Sequence, residues 1–119
     1  MKTILLSAAA LLMAPAIAAA QDFTGSWTME LDIAGMKYPG ACAFTQTGNT
    51  LGGTCGGADG KTVTVSGTVD GAKATFAYDT VYQGNPLHLA YTGEAKSDKE
   101  MAGAVDAQIA QGTFTATKQ

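Results

Sequence analysis

The sequence predicts an all-β domain: eight short antiparallel strands in an up-and-down meander that closes into a small barrel. Three observations predict it. Apolar and polar residues alternate with period two through nearly all of residues 21–119, no helical period competes with them there, and turn-forming residues punctuate the alternation at short intervals. No connection is long enough for a Greek-key crossover. Closing the sheet on itself is then the simplest way to remove its two unpaired edges.

The first twenty residues read differently. A basic Met1-Lys2 precedes an apolar run from Ile4 to Ile17 and then Ala18-Ala19-Ala20, the three-part plan of a secretory signal with cleavage after Ala20. As a membrane anchor the run is interrupted by Pro15, is shorter than the roughly 20 residues a bilayer requires, and lacks stop-transfer charges after it. No cysteine lies near it to carry a lipid. The expected organisation is a signal peptide over 1–20 and one domain over 21–119, periplasmic or secreted, with no membrane attachment after cleavage.

In residues 23–33 the odd positions Phe23, Gly25, Trp27, Met29, Leu31 and Ile33 face one way and Thr24, Ser26, Thr28, Glu30 and Asp32 the other, a strand with one buried side. Residues 35–40, with Pro39, read as a loop. A second strand over 41–47 carries Cys42 and Phe44 inward, and Gly48-Asn49 turns it into a third around 51–55. After the loop 56–60, Val63, Val65, Gly67 and Val69 form the inner face of a fourth strand, which Asp70-Gly71 closes as a hairpin. Ala74, Phe76 and Tyr78 supply the fifth, and Gly84-Asn85-Pro86 the next reversal. Leu87, Leu89 and Tyr91 define the sixth, Met101, Gly103 and Val105 the seventh, and residues 113–118, centred on Phe114, the eighth. Residues 65–70 echo residues 101–106, with Gly67 and Gly103 on the apolar face, where a missing side chain lets a neighbour approach or a strand coil tightly.

Without the signal, six lysines face ten acids and there is no arginine, so the formal charge moves from −3 to −4. A chain with no basic stripe lacks the electrostatic footprint for nucleic acid or an anionic membrane surface. About a hundred residues make one domain, near the lower size limit at which a core is comfortable without a covalent staple. Cys42 and Cys55, the only cysteines, fall on neighbouring strands with twelve residues between them, which predicts a structural disulfide rather than a redox pair.

Gly25-Ser26-Trp27 on the first of eight strands, with a last strand reading Gly112-Thr113-Phe114-Thr115-Ala116-Thr117-Lys118, resembles the calycin group of lipocalins, fatty-acid-binding proteins and avidins. The resemblance implies a calycin-like barrel whose tryptophan closes one end, with Lys118 standing where lipocalins place an arginine across the indole. Lysine lacks the flat guanidinium that stacks on such a ring. The helix that follows a lipocalin barrel and the polar set with which avidins hold biotin are both missing.

Small closed barrels can hold one ligand, and the many inward Gly and Ala positions leave room for it. The expected partner is a small apolar molecule, with Trp27, Phe76, Tyr78, Leu89 and Tyr91 as candidate lining residues. Tyr78 and Tyr91 bring hydroxyls that must either find partners inside or reach water at a barrel end. Interior volume separates the alternatives. A barrel filled by Trp27, Phe44, Phe76, Leu89, Met101 and Phe114 acts from its surface, whereas a cavity of roughly several hundred cubic ångströms beside the tyrosines favours carriage.

The chain also resembles periplasmic inhibitors of secreted bacterial metalloproteases, exported eight-strand barrels with an early Gly-x-Trp and one disulfide. A protein-binding module of that kind, with an exported protein as partner, is the second expectation. Those inhibitors insert an amino-terminal arm, and only Gln21 and Asp22 precede the first strand. No catalytic constellation is expected: the single His88 faces outward, both thiols are expected to be oxidised, and Glu30 and Asp32 point to water. A lone histidine with scattered acids offers no metal-ligand cluster, and no cofactor is implied.

Overall fold

A computed structural model describes residues 21–119; the expected signal peptide lies outside the described residues. The eight strands are β1 Gly25–Ile33, β2 Met36–Thr47, β3 Thr50–Gly56, β4 Thr62–Asp70, β5 Lys73–Tyr82, β6 Asn85–Ser97, β7 Glu100–Asp106 and β8 Gln111–Lys118. Each pairs antiparallel with the next and β8 returns to β1, so the meander closes into the expected barrel, with unpaired strand sides left only toward the loop end, as in β2 before Cys42.

Two expected loops are strand instead. The loop placed at 35–40 shrinks to Ala34 and Gly35, both at positive φ, and β2 begins at Met36 with Pro39 opposite Glu30. The proline is tolerated because β3 pairs no further along β2 than Cys42, leaving a free side on which a missing N–H costs nothing. Likewise Asn85 and Pro86 open β6, and the reversal before them is Gln83-Gly84. The β4–β5 turn is Gly71-Ala72 rather than Asp70-Gly71. Asp70 pairs with Lys73, and of the two turn residues only Gly71 has positive φ, the pattern of a type II′ hairpin.

The period-two pattern sets the core. Met29, Leu31, Phe44, Leu51, Val65, Val69, Phe76, Leu89, Met101, Val105 and Phe114 all turn inward and are buried. Cys42 and Cys55 lie directly opposite each other on β2 and β3 with Cα atoms 4.0 Å apart, and the predicted disulfide joins them. Two glycines of the sequence echo explain how so narrow a barrel closes. A Cβ on Gly67 would overlap the Thr75 carbonyl oxygen, and one on Gly103 the Thr92 carbonyl oxygen, each on the neighbouring strand. Only hydrogen fits where the backbones approach this closely.

The ends of the barrel differ. One, the closed end, carries the tight turns 48–49, 71–72 and 98–99 together with Phe23 and Gln119. The other, the loop end, carries the turns 34–35 and 83–84 and the longer connections 57–61 and 107–110. These connections are tied down. Gly57 N–H donates to Lys61 O at 2.7 Å, Ala58 N–H to the buried Thr80 hydroxyl at 3.0 Å, and Ala107 N–H to Ala110 O at 2.9 Å.

Candidate functional site

The closed end is built around Trp27, which is buried and donates its indole N–H to Phe23 O at 2.8 Å. The Phe23 ring lies 6.1 Å from the indole, centroid to centroid. Lys118 crosses the outside as the calycin resemblance implies: its ammonium stands 5.5 Å from the indole centroid and donates to Asp22 O at 2.9 Å. A cation over an indole contributes on the order of 0.5–1 kcal/mol at such a site. Trp27 is therefore a plug held by backbone and cation, and it has no free face for a ligand.

The middle of the barrel is filled by stacked and edge-on rings. Phe76 lies 4.7 Å from Tyr91 with planes nearly parallel and 4.9 Å from Phe44 edge-on, and Phe114 stands 5.1 Å from Tyr91. All four are buried to within 2% of complete, so no water-sized space opens against them. Of the predicted lining residues, Phe76 and Tyr91 thus belong to the packed centre and Trp27 to the closed end. Only Tyr78 and Leu89, cross-strand partners on β5 and β6, lie toward the loop end.

Tyr78 and Tyr91 neither line a wide cavity nor reach water as a pair. Their hydroxyls bond to each other at 2.8 Å. Burial pushes both phenol pKa values upward; the Tyr91 bond lowers that of Tyr78 while the same contact raises that of Tyr91 further. Either hydroxyl can donate by geometry, and burial favours Tyr91 as the donor, since it is fully enclosed while Tyr78 keeps 7% exposure.

Toward the loop end Ile33, Val63 and Leu87 are half-buried and pack against the core. Tyr38 and Tyr82, which sequence reasoning missed as site residues, arrive from β2 and β5, strands that are not neighbours in the sheet. The neighbouring Tyr82 phenol pushes the Tyr38 pKa up, with a smaller contribution from burial. Counting back by twos from Cys42 puts Tyr38 on the inner face, a signal hidden by reading 35–40 as loop. At the loop end Met36, Val81 and Ile109 are exposed at 59%, 40% and 81%, Val81 on the outer face of β5, and these are the exposed large hydrophobics among the described residues.

The polar candidates lie elsewhere. His88 faces outward, its Nδ1 2.8 Å from Asp79 Oδ1, and Glu30 and Asp32 flank the exposed Lys37 ammonium at 3.8 and 3.3 Å. Exposed pairs of this kind contribute little to stability. An open groove of about 620 Å³ crosses the outer wall beside Thr28, Glu30, Lys37, Thr115 and Thr117, but it is a concavity between exposed side chains and encloses nothing. No group of three or more metal-ligating side chains occurs among the described residues.

No protein-family profile and no curated protein matches the chain. Among solved structures it is similar to a redesigned β-barrel, mFAP1, bound to DFHBI, with 17% identity and a TM-score of 0.58 over 81% of this chain and 94% of that one. At that identity the likeness shows the fold alone, a closed antiparallel β-barrel.

Proposed function

We propose that this chain is an exported, non-enzymatic, lipocalin-like barrel that holds a small apolar ligand at its loop end. The observation that carries the reading is the asymmetry of the two ends. Met36, Val81 and Ile109 are exposed at the loop end, where Ile33, Val63 and Leu87 are half-buried, while Trp27 and Phe23 close the other. Exposed apolar side chains concentrated at one end suit a binding surface. Trp27, Phe44, Phe76, Leu89, Met101 and Phe114 are all buried and fill the barrel, which by the volume criterion tells against a ligand carried inside it, so the ligand is held at the surface of the loop end. That the redesigned barrel similar to this chain was solved with the small molecule DFHBI is in keeping with such a use of the fold.

The signal-like residues 1–20 support a periplasmic or secreted location, and Cys42–Cys55 suits an oxidising compartment. The same apolar rim also fits an exported protein partner, the second reading. Native mass spectrometry of the mature protein purified from periplasm separates the two. A retained small molecule of low polarity is the expected result; a stable complex with a protein, such as a secreted protease, overturns the small-ligand reading.

A further inference from the structure

The β5–β6 hairpin outlasts its neighbours at the loop end. Its own ladder runs from Lys73 opposite Glu94 to Tyr82 opposite Asn85, but β4 pairs with β5 no further than Ala77, and β7 with β6 no further than Ala90. Ala77 and Ala90 face each other, so Ser66, Ala77, Ala90 and Asp106 form the last row tied across four strands. Beyond that row residues 78–89 are a two-stranded ribbon with no strand paired on either side. The β1–β2 hairpin is also long but differs, because β8 accompanies β1 as far as Ile33, its last residue.

What holds this ribbon to the rest of the barrel runs through side chains. The buried Thr80 hydroxyl accepts the Ala58 N–H at 3.0 Å, Gln108 Oε1 accepts the His88 N–H at 3.1 Å, and the Tyr82 phenol neighbours that of Tyr38. The His88–Asp79 contact lies wholly within the ribbon and travels with it. Among the described residues, no backbone-to-backbone hydrogen bond outside the β5–β6 pairing reaches residues 79–88. Burial is sparse as well. Within residues 79–88 Thr80 alone is buried, Tyr82, Leu87 and His88 are half-buried, and the rest are exposed. A segment with so few buried apolar contacts opens far more readily than the whole domain unfolds.

We propose that residues 79–88 are a flap that swings open as one piece about the Ala77–Ala90 rung, while the eight-strand ladder below that rung stays closed. Opening releases the three side-chain latches and breaks no pairing between strands. It uncovers Tyr78, Thr80 and Leu89, all buried in the closed form, and so gives access to the filled interior at the loop end alone. The device goes beyond the binding role proposed for that end and does not depend on it.

Relaxation-dispersion NMR on the ligand-free mature protein is the test, because collective motions of this size fall in the μs–ms range. The expected result is exchange at one shared rate in residues 79–88 and at the latch partners Ala58 and Gln108, with residues 66–70 and 101–105 quiet. Thr80→Val keeps the size of the side chain and removes the acceptor of the Ala58 N–H. Gln108→Asn, at an exposed position, shortens the second latch and tolerates the positive φ there. Each substitution is expected to raise the open population by about two- to tenfold, the range of one hydrogen bond. The Gln108 variant keeps the flap testable where Thr80→Val folds poorly. Flat profiles in both the unaltered protein and Gln108→Asn overturn the proposal, since the ribbon is then fixed. Exchange that takes in Trp27 and Phe44 at the same rate overturns it too, since the ribbon then opens only with the whole barrel.

Discussion

Replacing Tyr78 and Tyr91 by phenylalanine, singly and together, tests the assigned direction of the buried hydroxyl pair. Each substitution keeps the ring and its packing, so 4.7 Å stacking of Tyr91 on Phe76 should survive. Tyr78→Phe removes the acceptor and leaves the Tyr91 O–H buried without a partner, a cost of about 1–3 kcal/mol. Tyr91→Phe removes the donor, but the Tyr78 hydroxyl keeps its 7% exposure and can turn to water, so the loss is about 0.5–1.5 kcal/mol. The double variant loses both hydroxyls and strands neither, and should resemble Tyr91→Phe alone, giving a coupling energy as large as the Tyr78→Phe cost, about 1–3 kcal/mol. Urea unfolding with the disulfide intact reads these differences as midpoint shifts at constant slope. For a domain of this size each kcal/mol is also worth roughly 4–8 °C in Tm. If Tyr91→Phe costs more than Tyr78→Phe, or the two costs add, the hydrogen bond runs the other way or is not the determinant.

Gly103→Ala places a methyl group into the Thr92 carbonyl and should destabilise by about 1–3 kcal/mol or more in the same assay, whereas Gly52→Ala, with open space around its Cβ, should be nearly neutral. Replacing both cysteines by serine removes a link across 13 residues of sequence and should cost about 3 kcal/mol, seen as a lower urea midpoint than that of the oxidised protein. Lys118→Arg should preserve stability, because a guanidinium can still lie over the indole and reach Asp22 O, while Lys118→Ala should lose about 1 kcal/mol. Because burial raises the Tyr78 and Tyr91 pKa values in the folded state, both stay protonated where the unfolded chain releases its phenolic protons. Stability should thus hold below the ordinary phenol value of 10.0 and fall as pH rises past it. An absorbance titration should show these two of the four tyrosines ionising only together with unfolding.

The period-two rule was enough to place nearly every core residue, because a strand with one buried face has only two ways to present its side chains and the wrong one exposes Phe44, Phe76 and Phe114 together. Register followed for the cysteines, which the Gly48-Asn49 turn sets opposite each other. Strand ends were less legible. Pro39 and Pro86 look like breakers in isolation, and only the three-dimensional pairing shows that Pro39 falls where β2 has no neighbour on one side. Depth along the barrel axis was the main thing hidden. Alternation says that Phe76, Tyr78, Leu89 and Tyr91 point inward, but not that Phe76 and Tyr91 lie in a ring-packed centre while Tyr78 and Leu89 lie toward the loop end. That level depends on strand stagger, which local spacing does not encode. Tyr38 and Tyr82 were missed for the same reason, being separated in sequence and joined only by closure of the barrel. Met36 opens β2, Val81 lies near the end of β5 and Ile109 sits in the β7–β8 connection, so their placement at one end also required the fold.

The claim that the loop end is the binding end is tested most directly by mapping 2-heptanone on the mature protein through its methyl NMR signals. The account predicts saturable shifts at Ile33, Val63, Leu87 and Leu89, with Leu51, Val69 and Met101 near the closed end unmoved. Shifts centred on those last three, or no saturable shift anywhere, would contradict it.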